Sequence, residues 1–332
     1  MRKVILNRIP RKVERDEVCA RIMNVIYDLN QLKQPLINPV LTIGNFDGVH
    51  KGHLSLFKKV KDISKRIHGQ SAVMTFEPHP IKVMRPGNGP PLITPTKQKL
   101  RLISDVGIEV IFCIPFSKEF ASIPARDFVR DILLGVIGIK ELVVGYDYTF
   151  GKERQGDTEL LRRMGEEMGF KVHVVEPIYL DNTLISSTSI REFVQEGRLA
   201  EAKRLLGRDY QISGTVKKGA GRGAKILGIP TANLLPVDEL IPKRGVYAVI
   251  ASLEGRDYFG VCNIGYNPTF GLQALSIETH MLDFHEDIVG RELTIRFIHA
   301  LREEKSFRSP QELADQIRED IQRTRELFGL HE

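Results

Sequence analysis

Val40-Leu-Thr-Ile43, followed at once by Gly44-Asn-Phe-Asp-Gly-Val-His-Lys-Gly-His53 and then by apolar residues at Leu54, Phe57, Val60, Ile63 and Ile67, decides the fold. The first run reads as a buried strand, and apolar residues three to four apart read as one face of a helix. Strand, glycine-rich turn and helix succeed one another without a gap. The alternation continues outward. Strand-like runs at Ala72–Phe76, Val110–Ile114, Leu142–Val144 and Val172–Val175 are separated by helix-period segments at Leu100–Ile103, Phe128–Leu134 and Leu160–Met168. This pattern predicts βαβ units around a parallel sheet. Residues 1–39 read as an N-terminal extension.

The periodicity changes after a helix at about 189–206, which Gly207 closes. Val246-Tyr-Ala-Val-Ile-Ala251, Phe259-Gly-Val-Cys-Asn-Ile264 and Leu293-Thr-Ile-Arg-Phe-Ile298 have period two and are punctuated by Gly, Pro and Asn. An antiparallel sheet or small barrel is expected. Ser309-Pro-Gln-Glu312 is a capping box with Pro at the first helical position, and Leu313, Ile317 and Ile321 continue one face of a last helix. The expected division is an extension (1–39), an α/β domain (40–206) and a barrel domain with a C-terminal helix (207–332).

Composition narrows the function classes. The chain has 332 residues, 42% hydrophobic and 27% charged, as an ordinary folded protein of two domains has. Its longest uncharged apolar run, Ile132–Ile139, is far short of the ~18–20 residues of a membrane span. The start, Met-Arg-Lys-Val-Ile-Leu-Asn-Arg, lacks the apolar core of a secretory signal. Cys19, Cys113 and Cys262 are scattered, which fits thiols in a reducing cytoplasm. The net charge is +6, of which +4 lies in residues 1–40, and no zinc-finger spacing or aromatic basic stripe accompanies it. Phosphate-bearing small molecules are the expected partners, with no nucleic acid and no membrane. Oligomeric state has no reading in the sequence.

The glycine-rich turn points to polyphosphate chemistry. A helix N-terminus offers backbone N–H groups and a favourable dipole, and Gly44, Gly48 and Gly52 allow close approach to the main chain. His50 and His53, three apart, project to one side and suit a pyrophosphate. Ser186–Ser189 and Arg191 offer hydroxyls, amides and a charged fork at another helix start. Phe76, His79 and Pro80 offer walls for a flat ring. In the second half, Gly219-Ala-Gly-Arg-Gly-Ala-Lys225 reads as a flap over phosphates, with Arg222 and Lys225 as its charges. Thr231 and Asn233 present oxygen on one side of an extended segment, which suits Mg²⁺. Glu278 and His280 share a strand face, where a carboxylate can take a proton from a hydroxyl. Neither half carries the P-loop pattern or a convincing G-x-G-x-x-G after a strand.

Gly44-x-Phe-Asp-Gly-x-His50-x-Gly-His53 resembles the nucleotidylyltransferase signature in its flavin-adenylylating form. Thr75-Phe-Glu-Pro-His-Pro80, Gly145-Tyr-Asp-Tyr-Thr-Phe-Gly151 with Gly156-Asp157, and Ile185-Ser-Ser-Thr-Ser-Ile-Arg191 are similar to further segments of that form, with Tyr148 where the family usually has Phe. The second half resembles riboflavin kinases. It does so in Gly221-Arg-Gly-Ala-Lys-Ile-Leu-Gly-Ile-Pro-Thr-Ala-Asn233, Gly245-Val-Tyr247, Asn263-Ile-Gly-Tyr-Asn-Pro268, Glu278-Thr-His280 and Leu301-Arg302 through Lys305-x-Phe307.

Together the resemblance covers about residues 40–330 and is to the two-domain riboflavin kinase/FMN adenylyltransferase family. It implies a Rossmann-like α/β nucleotidylyltransferase domain and a six-stranded antiparallel barrel. ATP, riboflavin and FMN are the implied substrates, with Mg²⁺ as cofactor. By the same resemblance Glu278, His50, His53 and Arg191 are catalytic, and Thr231 and Asn233 bind metal. ATP and its phosphates fall to Gly44, Phe46, Asp47, Gly48, Gly52, Asp147, Ser187, Thr188, Gly219, Gly221, Arg222, Gly223 and Lys225. The flavin falls to Phe76, His79, Pro80, Asn263 and Arg302. Two other readings are weaker. A nucleotidylyltransferase for a different acceptor leaves the second half without a task, and a non-catalytic flavin-binding module does not need these polar residues.

Overall fold

Aliphatic runs too short for helices and too apolar for the surface form the first sheet. The computed structural model describes residues 24–32, 34–218, 230–236, 239–267 and 274–330. They form two compact units, divided between Ser186 and Ser187.

In the first unit β1 (Val25–Ile26), β2 (Val40–Ile43), β3 (Ser71–Glu77), β4 (Val110–Pro115), β5 (Glu141–Gly145) and β6 (Lys171–Val175) make a parallel sheet in the order β1-β4-β3-β2-β5-β6. Helices α1 (Lys51–Arg66), α2 (Pro80–Met84), α3 (Thr96–Asp105), α4 (Lys118–Ala121), α5 (Ala125–Asp127) and α6 (Thr158–Met168) connect the strands. Alternate strand residues feed two cores. Val40, Val73, Ile111 and Val143 meet Phe57, Val60, Leu100 and Ile103 of α1 and α3. Leu41, Met74, Phe112 and Val144 meet Phe128, Ile132, Leu161 and Met164 on the opposite face. The sequence assigned helix to Phe128–Leu134. It is a π-helix, Phe128–Ile137, closed by Gly138 at φ 74°.

Val25–Ile26 lies in the stretch read as an extension, yet it pairs with Ile111 and Phe112 of β4 as an edge strand. Two residues are too few to show a period, which is why the sequence left them out. A short hairpin, β7 (Tyr179–Leu180) and β8 (Thr183–Leu184), ends the unit.

The second unit opens with α7 (Ser187–Gln195) and α8 (Leu199–Leu206), which Gly207 ends in the left-handed region. The sequence placed the division at 206/207. By packing these helices belong with the barrel, because α8 lies against its first and last strands. Strands β9 (Tyr210–Lys217), β10 (Ala232–Pro236), β11 (Gly245–Leu253), β12 (Arg256–Asn267), β13 (Ala274–Met281) and β14 (Glu292–Arg302) close into that antiparallel barrel, β10-β13-β12-β11-β14-β9. The C-terminal helix α9 (Pro310–Leu327) starts as expected, with Ser309 accepting from the Glu312 amide at 3.1 Å. Its inner face is more polar than the expected stripe of Leu313, Ile317 and Ile321, because Asp320 and Thr324 are buried on it.

Candidate active sites

In the first unit the strand order reverses between β2 and β5, and open parallel sheets bind ligands beyond the carboxyl ends of the strands at such a point. Two of the motifs leave from there. Residues 44–50 follow β2, and Gly145–Gly151 follows β5.

The first loop is unusually bent. Phe46, Gly48 and Val49 have φ of 50°, 89° and 40°, and the Val49 amide closes a turn onto the Phe46 carbonyl at 3.1 Å. A Cβ on Gly44 would stand 2.9 Å from the Phe46 ring, so only glycine fits there. His50 is buried and is the N-cap of α1, its Nδ1 accepting from the His53 amide at 3.3 Å. With Nδ1 an acceptor, the neutral ring carries its proton on Nε2. His50 and His53 stack at 3.5 Å and 19°, and Phe46 meets His53 edge-on at 5.2 Å. Gly52 makes room for this, since a Cβ there would lie 3.0 Å from the His50 ring.

Asp47 and Gly48, expected among the phosphate contacts, hold the loop to the segment at Ile93–Thr94. Asp47 is 3% exposed, and its carboxylate accepts from the amides of Ile93 and Thr94, both at 3.0 Å. A buried carboxylate would also repel a phosphate. The Gly48 amide donates to Thr94 Oγ1 at 2.9 Å, so the usefulness of this glycine lies in its positive φ. Thr94 was missed because a lone threonine in a loop carries no pattern. Lys99 was missed although it lies beside Leu100, on the stripe of α3 that runs to Ile103, and it is 4% exposed.

After β5, the Tyr148 amide turns back to the Gly145 carbonyl at 3.2 Å, and Tyr148 stacks on Phe150 at 5.6 Å and 13°. Asp147 is exposed on this turn. Asp157 caps α6 through the Leu160 amide at 2.8 Å. Phe76 is 9% exposed and packs in a core cluster with Phe116 and Phe120, so most of its ring is already covered. His79 Nδ1 caps the Ile81 amide at 3.2 Å, and Pro80 is the first residue of α2.

Ser187, Thr188 and Arg191 lie in the first turns of α7, in the second unit. Thr188 is exposed, while Ser187 and Arg191 are half-buried.

The barrel brings three expected residues together. Asn233 on β10 is directly opposite Glu278 on β13, and Glu278 is directly opposite Asn263 on β12. Opposed residues share a face, so the carboxylate stands in a row between two amides. Ser276 donates to Glu278 Oε1 at 2.9 Å, and His280 Nδ1 lies 2.9 Å from the Pro230 carbonyl, tying β13 to the segment that enters β10. The alternate residues Ala232, Thr279 and Cys262 face inward and are buried. Burial pushes the Cys262 thiol up to about 12.

A cleft of about 380 Å³ lies beside this row, lined by Lys217, Pro230, Thr231, Asn233, Phe284 and Ile288 among others. The flap residues Gly219, Gly221, Arg222, Gly223 and Lys225 lie outside the described residues. No group of three or more His, Cys, Asp or Glu able to hold a metal occurs among the described residues. A cation beside Thr231 and Asn233 would meet their neutral oxygens, with the Glu278 carboxylate directly across from Asn233.

Arg302 is engaged more deeply than expected of a flavin contact. Val246 is opposite both Asn263 and Arg302, which continues the row, but the guanidinium grips Asp320 of α9 with Nη2–Oδ2 at 2.8 Å and Nε at 3.1 Å from both oxygens. The Asp320 side chain is 2% exposed. A charged residue on the inner face of a helix was the available signal for it. Gly245 is required at the same place, since a Cβ there would lie 2.7 Å from the Arg302 carbonyl oxygen.

Comparisons with known proteins identify the family. Residues 32–189 match the family model described as FAD synthetase, and residues 206–328 match the one described as riboflavin kinase. The bifunctional riboflavin kinase/FMN adenylyltransferase of Buchnera aphidicola subsp. Acyrthosiphon pisum is 36% identical over 93% of this chain and 99% of its own length. The protein of the same description from Escherichia coli K12 is 36% identical over 93% and 99%. A solved structure described as a macrolide-efflux protein from Streptococcus pneumoniae superposes with a TM-score of 0.82 at 30% identity, over 92% of this chain and 99% of that one. Among the described residues no helix is long and apolar enough to cross a membrane.

Proposed function

The chain belongs to the bifunctional riboflavin kinase/FMN adenylyltransferase family, and on that premise we propose which residues carry each of its two reactions. The chain phosphorylates riboflavin to FMN and adenylylates FMN to FAD. The observation that supports the kinase assignment most directly is the row in which Asn233 and Asn263 flank Glu278 across three adjacent barrel strands.

In the kinase step Glu278 accepts the proton of the riboflavin 5′-hydroxyl, the oxygen attacks the γ-phosphorus of ATP, and ADP leaves. Asn233 and Asn263 flank the carboxylate and Ser276 holds one of its oxygens, which fixes its orientation. The cleft beside Thr231 takes the nucleotide, and Asn263 with the Arg302 end of the row faces the flavin. Thr231 and Asn233 would hold Mg²⁺, since neutral oxygen donors suit a hard cation that keeps several waters and takes few protein ligands. When bound, the ion neutralises charge on the ATP phosphates.

In the adenylyl step a phosphate oxygen of FMN attacks the α-phosphorus of ATP and the bond to pyrophosphate breaks, so no enzyme nucleophile is needed. Positioning and charge stabilisation supply the catalysis. His50 donates from Nε2 to the leaving pyrophosphate, with His53 stacked beside it. Gly44 and Gly52 keep the approach open, and Asp147 and the Phe46 amide contact the nucleotide. Ser187, Thr188 and Arg191 are assigned to phosphate by their chemistry. ATP in both steps, with the buried thiols of Cys113 and Cys262, supports a cytoplasmic location.

Supplied with riboflavin, ATP and Mg²⁺, the protein should accumulate FMN and then FAD, separable by chromatography. His53→Ala should stop the sequence at FMN. A folded variant that lost both products, or kept both, would sink the two-site assignment.

A further inference from the structure

The segment from Ile93 to Lys99 is not part of the signature loop, yet it holds that loop from beneath. Asp47 accepts from the amides of Ile93 and Thr94, and Thr94 Oγ1 in turn accepts from the Gly48 amide at 2.9 Å. Lys99 Nζ donates to the carbonyls of Asn45 and Phe76, both at 3.2 Å, and Thr75 Oγ1 donates to the same Asn45 carbonyl at 3.1 Å. Lys99 is 4% exposed. Burying an ammonium is unfavourable, and burial pulls its proton affinity down, against the Cys113 thiol, Glu77 and Asp47.

The cation does something an apolar residue cannot. A trans peptide is planar, with its C=O and N–H antiparallel. Two buried donors pin the Asn45 carbonyl inward, so the Phe46 N–H that shares its peptide points the other way, out of the protein core. Phe46 then continues at φ 50° and Val49 at φ 40°, conformations that non-glycine residues keep only where their surroundings over-determine them.

We propose that Lys99 and Thr94 are positioning residues for adenylyl transfer, fixing the peptides of Asn45 and Gly48 so that the loop presents the Phe46 amide and the His50 ring to the pyrophosphate leaving group. This rests on the assignment of residues 44–53 to the polyphosphate. The two residues act through the loop and touch no reacting atom.

The test uses the full chain with Lys99→Met, which keeps the length and removes the charge, and Thr94→Val, which keeps the shape and removes the hydroxyl. A displacement of the loop by about 1 Å costs on the order of 10²-fold in rate. Lys99→Met should lose FAD synthesis by about that factor. In the reverse reaction its KM for pyrophosphate should rise while its KM for FAD stays the same. Riboflavin kinase activity should be unchanged. Thr94→Val should show the same KM pattern with a smaller rate loss.

A Lys99→Met protein that makes FAD at the wild-type rate overturns the proposal. So does a loss that raises the KM for FAD as much as that for pyrophosphate, since general collapse of the unit does both. If Lys99→Met does not fold, the KM pattern of Thr94→Val decides alone. If His53→Ala still makes FAD, it is the underlying assignment of the loop that fails, whatever the Lys99 and Thr94 variants do.

Discussion

Asn233 and Glu278 are directly opposed across β10 and β13, and the next strand sets Asn263 on the other side of the same carboxylate. A group placed by ladder hydrogen bonds on both sides has little freedom to drift. It is thereby suited to receive a proton from a substrate hydroxyl.

Glu278→Gln keeps this geometry and cannot take the proton. General-base catalysis contributes about 10²–10⁴-fold, so the kinase rate should fall by roughly that factor, toward the lower end for a loose transition state. Riboflavin and ATP affinities should change little, and FAD synthesis from supplied FMN should be untouched. Rapid-quench measurement of FMN formation checks this. A wild-type rate would make Glu278 a strand residue and direct attention to His280, which is held at 2.9 Å from the Pro230 carbonyl.

Gly52→Ala separates activity from stability. Alanine favours a helix over glycine by roughly 0.5–1 kcal/mol, so α1 should be no weaker. Its Cβ, however, would press on the His50 ring at 3.0 Å and on the Ile185 carbonyl oxygen at 3.3 Å. FAD formation should fall by about tenfold or more with an unchanged melting curve. Full activity would show that the position of His50 is unimportant.

Asp320→Ala leaves Arg302 buried without its partner. Breaking a buried pair in this way costs about 3–5 kcal/mol, and here the side chains are 16% and 2% exposed. Urea unfolding of the barrel should shift by that amount. Replacing both residues with apolar ones should recover most of it, and failure to recover would mean that the pair does more than hold α9.

Glu239 gives the barrel a pH dependence. It is 6% exposed, Oε2 accepts from the Ser213 amide at 2.8 Å, and burial pushes the carboxyl up to about 8, with Glu292 adding to the rise and the Ser213 amide opposing it. The folded state thus keeps a proton that the unfolded chain loses near its ordinary value of 4.5. Stability from this group is complete below that value and declines as pH rises toward about 8. Glu239→Gln should flatten the decline and be the more stable protein above it. Parallel slopes for both proteins in urea titrations across this range would refute the assignment.

A fragment beginning at Ser187 should fold and make FMN but never FAD. One beginning at residue 207 should be less stable, because it lacks α8 and with it the buried Ala202, Leu205 and Leu206. Melting temperatures of the two fragments distinguish these outcomes.

Much of this architecture was legible because it repeats. The runs from Val40 to Val175 alternate strand and helix, and the period-two stretches from Val246 to Ile298 fall within β11, β12 and β14. Glu278, Asn233 and Asn263 were each legible as residues, but their adjacency depends on strand register, which no local pattern carries. The supports were hidden for a different reason. Asp47 was read by its motif as a ligand contact although its carboxylate turns inward, and Lys99 and Asp320 are charges where patterning expects apolar side chains. Such residues become visible only when their partners, distant in sequence, are brought beside them.

The closed barrel also works as a ruler. Neighbouring strands lie about 4.8 Å apart, so Asn233, Glu278 and Asn263 span roughly 10 Å in fixed steps. With every strand paired on both sides, no edge can slide to alter that spacing. A change of acceptor size therefore has to be absorbed by the loops that bound the cleft, while the reacting distance stays written in the hydrogen-bond ladder.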